Sequence, residues 1–129
     1  MSPVERLKKI STAASVRLNE SFHAPDVVPY GAEALALIAD HPEQQAEFLA
    51  TLLQAAVVPE DGDVWFLQFC AHGLRWPELK AGLERLSSAA VQANDWNHVQ
   101  RLGHILDAFE DNWEDADDFY SAHFRGERR

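Results

Sequence analysis

Cysteine is almost missing from this chain: Cys70 stands alone among 129 residues. One thiol can close no intrachain disulfide and build no thiolate-rich zinc site, which fits a reducing, cytoplasmic setting. Also missing is any uninterrupted run of about 18 apolar residues, so no transmembrane helix is expected. The segment from Met1 to Glu20 lacks the apolar stretch of a signal peptide, and no Sec export is expected. Phosphate-cradling glycine loops, a nucleophile elbow and zincin helices do not occur. Strand signals are equally scarce, since the β-branched residues come as short pairs beside prolines, Val27-Val28 and Val57-Val58. No sheet is expected.

What is present is ordinary material for a packed core. The chain is 47% hydrophobic and 25% charged, and its length fits a single domain. Its net charge of −10 is uneven: Met1 to Glu20 sums to +2, Arg125 to Arg129 to +2, and Ser21 to Phe124 to −14. An acidic body repels phosphate backbones and attracts cationic protein surfaces, so no nucleic-acid or membrane partner is expected.

Apolar Val4, Leu7, Ile10, Ala14 and Leu18 recur at helical spacing among basic residues, predicting an amphipathic helix up to about Glu20. Pro25 and Pro29 predict a loop from Ser21 to Tyr30. A short buried helix is expected from Gly31 to Asp40, and Pro42 opens the next, reaching about Val57 with Phe48, Leu49, Leu52 and Leu53 on one stripe. Asp61 or Asp63 caps a helix with Val64, Trp65, Phe66, Leu67, Phe69, Cys70 and Ala71, nearly all apolar and hence central, which Gly73 stops. Trp76-Pro77 opens a helix ending near Ala93. Asn94 or Asp95 caps another, with Val99, Leu102, Leu106 and Phe109 inward and Gln100, Arg101 and Asp107 outward. A final helix or continuation holds Trp113, Ala116, Phe119 and Tyr120. The expected fold is all-α: one domain forming a compact bundle of about six short antiparallel helices, open to a HEAT-like hairpin arrangement, with residues 31–124 as the helical core and a basic tail from 125 to 129.

The clearest functional feature is acidic. Asp107, Glu110, Asp111, Glu114, Asp115, Asp117 and Asp118 place seven carboxylates within twelve residues. At helical spacing Asp107, Asp111, Glu114 and Asp118 fall on one stripe, and Leu102, Leu106, Phe109, Trp113 and Tyr120 on another, so one helix would anchor inward and present charge outward. Like charges four apart cost several tenths of a kcal/mol per pair, which a cationic partner would relieve. A solvated face that keeps the domain soluble is the plainer reading of the same residues. Trp96, directly after the cap, is the tryptophan expected at the surface, an aromatic anchor beside steering carboxylates.

No metal or cofactor is expected. The tract has no Asp-x-Asp-x-Asp-Gly arrangement, Asp61-Gly62-Asp63 is too short to replace one, and no pair of Glu-x-x-His helices occurs. His98 and His104, six apart, point to different faces of a helix. His72 is expected to cap or line a helix end, and Cys70, in the most apolar stretch, to be buried and inert. No catalytic residue is assigned.

Asp63-Val64-Trp65-Phe66, Asn94-Asp95-Trp96 and Phe109-Glu110-Asp111-Asn112-Trp113-Glu114-Asp115 give the region from Pro59 to Phe124 a character that resembles the small acidic helical immunity proteins bacteria encode beside secreted or contact-delivered toxins. The resemblance is one of composition over the C-terminal half. It implies a cytoplasmic, non-catalytic inhibitor that binds a cognate toxin or other basic protein domain, with Asp107, Asp111, Glu114, Asp115, Asp118 and Trp96 as the contact residues. The basic segment around Lys8 and Lys9 has no role in that picture. The alternative is a helical scaffold that binds partners through apolar grooves between its helices.

Overall fold

The computed structural model describes residues 1–120 and Phe124, with Asp117 described by its backbone alone; the expected basic tail lies outside the described residues. Among these residues seven α-helices follow in order: α1 (Pro3–Ser21), α2 (Val28–Asp40), α3 (Gln45–Val57), α4 (Val64–Leu74), α5 (Pro77–Gln92), α6 (Trp96–Asp107) and α7 (Glu114–Asp118). Short 3-10 turns, Ala24–Val27 and Pro42–Gln44, precede α2 and α3. Among the described residues there is no strand, and the helices pack into an all-α bundle.

α1 starts where Ser2 Oγ accepts the Glu5 amide at 3.1 Å, with Pro3 in the first turn where its missing N–H costs nothing. Leu7, Ile10, Ala14 and Leu18 are buried on one stripe, and Arg6, Lys8 and Lys9 are exposed opposite them. The expected loop from Ser21 to Tyr30 is a correction. Pro25 and Pro29 each fall in the first turn of a helical segment, where proline is tolerated, so the chain coils into the 3-10 turn and straight on into α2. Val27 is fully buried, and Asp26 pairs with Arg17 of α1 at 3.3 Å, pinning this turn to the first helix.

α4 is the central helix, as its composition predicts, packing on α1, α2, α3 and α6. Asp63 is its cap, accepting the Trp65 amide at 2.8 Å. The joint with α2 depends on two glycines. A Cβ on Gly31 would lie 2.1 Å from Cδ1 of Phe69, and one on Gly73 would lie 2.6 Å from Cδ1 of Leu35. Each helix thus receives the other's side chain against bare backbone. This also corrects the role expected of Gly73: it does not stop α4. The stop comes at Arg75, which takes the left-handed conformation with φ 51 and donates its N–H to the Ala71 carbonyl.

α5 and α6 form a hairpin whose turn uses Asn94 at φ 57, and α5 also leans on α3, where Leu53 sits against Gly82. Asp95 is the cap of α6. Arg101, expected outward, turns inward. Its guanidinium donates to the carbonyls of Ala55 (3.0 Å) and Ala56 (2.8 Å), and also to that of Gly62, so it closes the C-terminal end of α3.

Gly31→Ala should force Phe69 from its seat and cost about 1–3 kcal/mol, as overpacked cores do. Gly103→Ala, on the open side of α6 with nothing within 4 Å of the added methyl, should instead stabilise by about 0.5–1 kcal/mol. Urea denaturation of both variants checks the pair; equal effects would mean that α2 and α4 do not meet as described.

Candidate protein-binding surface

The surface grows from α6. Leu102 and Ile105 are buried, while Trp96, Gln100, His104 and Asp107 are exposed. Trp96, 61% exposed, is the first residue of the helix and Asp107 the last. Eleven residues make about three turns, so the two share a side of the helix at roughly 16 Å separation along its axis. The structure therefore sets Trp96 apart from the carboxylates while leaving both on one flank.

The acidic tract is not one helix, which corrects the expected single stripe. α6 ends at Asp107, tight turns carry the chain through Ala108, Phe109 and Glu110, and a new helix begins at Glu114. Electrostatics supplies the reason. A continued helix would collect carboxylates at its C-terminal end, where the dipole is negative and neighbours four apart repel. Restarting the helix moves Glu114 and Asp115 to an N-terminal turn, where negative charge is favourable. The break also lets Ala108, Trp113, Ala116 and Tyr120 turn inward and become buried.

Two side chains of α4 and that of its C-cap Arg75 hold the break in place. Gln68 Nε2 donates to the His104 carbonyl at 2.6 Å, His72 Nδ1 donates to the Ala108 carbonyl at 2.8 Å, and the Arg75 guanidinium donates to the Phe109 carbonyl at 2.5 Å. Gln68 and His72 are buried. His72 does cap a helix end, that of α6. Its ring lies 5.0 Å from that of Trp113, which in turn lies 5.7 Å from Tyr120. Tyr120 meets Phe69 edge-on at 5.2 Å, tying the acidic segment to the middle of the bundle.

The expected contact residues divide accordingly. Asp107, Glu114 and Asp118 are exposed. Asp111 is exposed too, but its carboxylate accepts from Arg75 at 2.7 Å, so it is an internal anchor as well as a surface charge. Asp115 is partly buried; burial raises its pKa above the ordinary carboxylate value, and Asp118, Glu114 and Asp107 raise it further. Those three charges therefore share one field although they belong to two helices. Among the described residues no group of three or more His, Cys, Asp or Glu side chains is placed to hold a metal ion. Cys70 is fully buried, and burial pushes its thiol well above the usual range.

Sequence reasoning missed the clamp by α4 and a second one on α6. His98 Nδ1 donates to Asp95 Oδ2 at 2.5 Å and its Nε2 donates to the Val57 carbonyl at 3.1 Å. Two acceptors on two ring nitrogens call for the doubly protonated ring. Its pKa is raised, first by the Asp95 carboxylate and then by the Val57 carbonyl, against the opposing effects of desolvation and Arg101. A histidine three residues after a capping aspartate was the only local signal.

A raised folded-state pKa means that the stabilisation from His98 is complete below the unfolded value of about 6.5 and is lost as pH rises through the folded value. The stability difference between the parent and His98→Gln should shrink from pH 6 to pH 9, by denaturant titration; a difference that grows would show the ring is held neutral. The Tyr120 hydroxyl is buried with no hydrogen-bond partner among the described residues. Tyr120→Phe should therefore be neutral or stabilise by about 1 kcal/mol in thermal unfolding, and a loss of that size would reveal a partner for the hydroxyl.

Comparison of the chain with protein-family models, curated proteins and solved structures gives no match, so a functional reading rests on the residues themselves.

Proposed function

We propose that the chain is a non-catalytic inhibitor, an immunity protein that neutralises a cognate bacterial toxin by laying its acidic surface over the toxin's basic active-site cleft. The observation that carries this reading is that Asp107, Glu114 and Asp118 stand exposed on a segment fixed from behind by Gln68, His72 and Arg75 and by the buried rings of Trp113 and Tyr120. A surface charge on a fixed backbone loses little entropy on binding, so the Coulomb gain with a cationic cleft is kept. Long-range attraction speeds encounter, and desolvation on contact strengthens each pair.

Trp96 completes the surface as an apolar anchor. A standard interface covers about 800 Å² on each partner, a patch about 30 Å across, which is wide enough to take in both ends of α6. Asp111 contributes charge but is held by Arg75, and Asp115 adds to the field from a partly buried position. In this reading the α5–α6 hairpin is the HEAT-like unit that presents the surface, the compartment is the cytoplasm, and no metal or cofactor takes part.

The test is association with the protein encoded by the neighbouring reading frame. Copurification is expected, and charge reversal of Asp107, Glu114 and Asp118 to lysine should slow association about ten- to a hundredfold at low salt and flatten its salt dependence. These three are chosen because, among the described residues, none of their carboxylates makes a hydrogen bond or ion pair. Reversals that leave both the rate and its salt dependence unchanged would place the binding surface elsewhere.

A further inference from the structure

Between α1 and α3 lies a cavity of about 470 Å³ with an apolar floor, where Leu7, Leu52 and Ala55 are buried. The loop from α3 to α4 closes one side. Gly62 is wedged there, a Cβ on it lying 2.9 Å from Cβ of Ala55 and 3.2 Å from Oγ of Ser11, and its neighbour Asp61 joins the lining. Ser11, itself buried, donates its hydroxyl proton to the Asp61 carbonyl at 2.5 Å and so ties α1 to this loop. Small-molecule sites commonly enclose about 300–1,000 Å³ and combine an apolar lining with a few polar groups, and this cavity has both properties.

Its polar groups are of two complementary kinds. Ser11 and Thr51 donate their hydroxyl protons to the carbonyls of Asp61 and Glu47, which leaves their oxygens as acceptors, and the Asp61 carboxylate is a third acceptor. Lys8, the cation in the lining, supplies donors, and Thr12 stands one turn from it on α1. Lys8, Thr12, Gln54 and Asp61 are exposed, and among the described residues none of their side chains makes a hydrogen bond or ion pair. The charges adjoining these residues in the chain have both signs, with Lys9 after Lys8 and Glu60 before Asp61. The surroundings therefore select neither an anion nor a cation alone.

We infer that this cavity binds a small zwitterion with an aliphatic body, a free α-amino acid of the leucine kind, its carboxylate on Lys8 and Thr12, its ammonium on the Asp61 carboxylate and the Ser11 oxygen, and its side chain over Leu7, Leu52 and Ala55. An ammonium brings three donors and no acceptor, which suits oxygens that have no proton to give. A simple carboxylate would approach a chain of net charge −10 and leave Asp61 unanswered, and a simple amine would leave Lys8 so. The zwitterion is neutral overall and pairs with both. The inference does not depend on the inhibitor reading, because the cavity is built from α1, α3 and the loop after α3, none of which carries the acidic surface.

The probe is L-leucine, titrated into the isotope-labelled full chain at about 0.15 M salt. Saturable amide shifts centred on Leu7, Ser11, Thr51, Ala55 and Asp61 are expected. Isocaproate, which lacks the ammonium, isoamylamine, which lacks the carboxylate, and glycine, which lacks the side chain, should each bind at least about tenfold more weakly. Lys8→Gln and Asp61→Asn, at exposed positions where circular dichroism checks folding, should each weaken leucine about tenfold. Lys8→Gln should also narrow the gap between leucine and isoamylamine, and Asp61→Asn the gap between leucine and isocaproate, a crossed pattern that a general disturbance of the cavity would not give. The reversal of Asp107, Glu114 and Asp118 should leave the affinity for leucine within about twofold. No saturation below about 50 mM leucine, shifts centred elsewhere, equal binding by either half-ligand, or variants that weaken every ligand alike would each overturn the proposal.

Discussion

The arrangement turns on how helix ends are satisfied inside the bundle. A helix leaves its last carbonyls without intrahelical donors, and burying them unpaired costs about 1–3 kcal/mol each. Here the donors come from neighbouring helices. Gln68 and His72, four apart on one face of α4, and Arg75, the left-handed residue that ends it, serve the carbonyls of His104, Ala108 and Phe109 at the end of α6. α6 in turn lends His98 and Arg101 to the carbonyls of Ala55, Ala56 and Val57 at the end of α3. The order of dependence runs from the glycine joint that seats α4 on α2, through the polar stripe of α4, to the positions of Asp111, Glu114, Asp115 and Asp118.

That stripe explains why an acidic segment can be both strongly charged and well placed. Carboxylates repel along a helix, and a free peptide of this composition would gain little by coiling. Within the bundle, Trp113, Ala116 and Tyr120 supply burial on one side while α4 fixes the turn, so the repulsion is borne by the rest of the fold. Asp115, whose pKa is raised first by burial and then by Asp118, Glu114 and Asp107, registers part of the cost locally. A cationic partner would remove this repulsion, and the same argument makes the segment indifferent to neutral surfaces of similar shape.

Much of this was legible in the sequence. The apolar composition of Val64 to Ala71 marks the central helix, Pro77 and Asp95 mark helix starts, and Trp96 after its cap reads correctly as exposed. The missed clamps have a common cause. Gln68, His72 and Arg75 act on partners 34 to 36 residues away, and Arg101 on partners 39 to 46 away, distances over which local pattern carries no information. A polar pair four apart in an otherwise apolar helix was the visible trace of the clamp, and it reads as easily as noise. The prolines at 25 and 29 misled for a different reason: proline disfavours the helix interior but suits the first turn, and only the tertiary anchors Val27 and Asp26 decide between the two.

The placement of glycine carries the argument one step further. Left-handed turns normally go to glycine, yet Phe22, Arg75 and Asn94 take them here, and no glycine among the described residues has positive φ. Gly31, Gly73 and Gly82 are used instead where a neighbouring side chain lies against helix backbone. A bulky residue in the left-handed region costs about 1 kcal/mol. At Arg75 that cost is offset by what the side chain does, since a glycine would relieve the turn but remove the donor to Phe109 and the counter-charge to Asp111. The strained turn at the end of α4 is thus the point where helix packing on one side and the negative surface on the other are joined through a single residue.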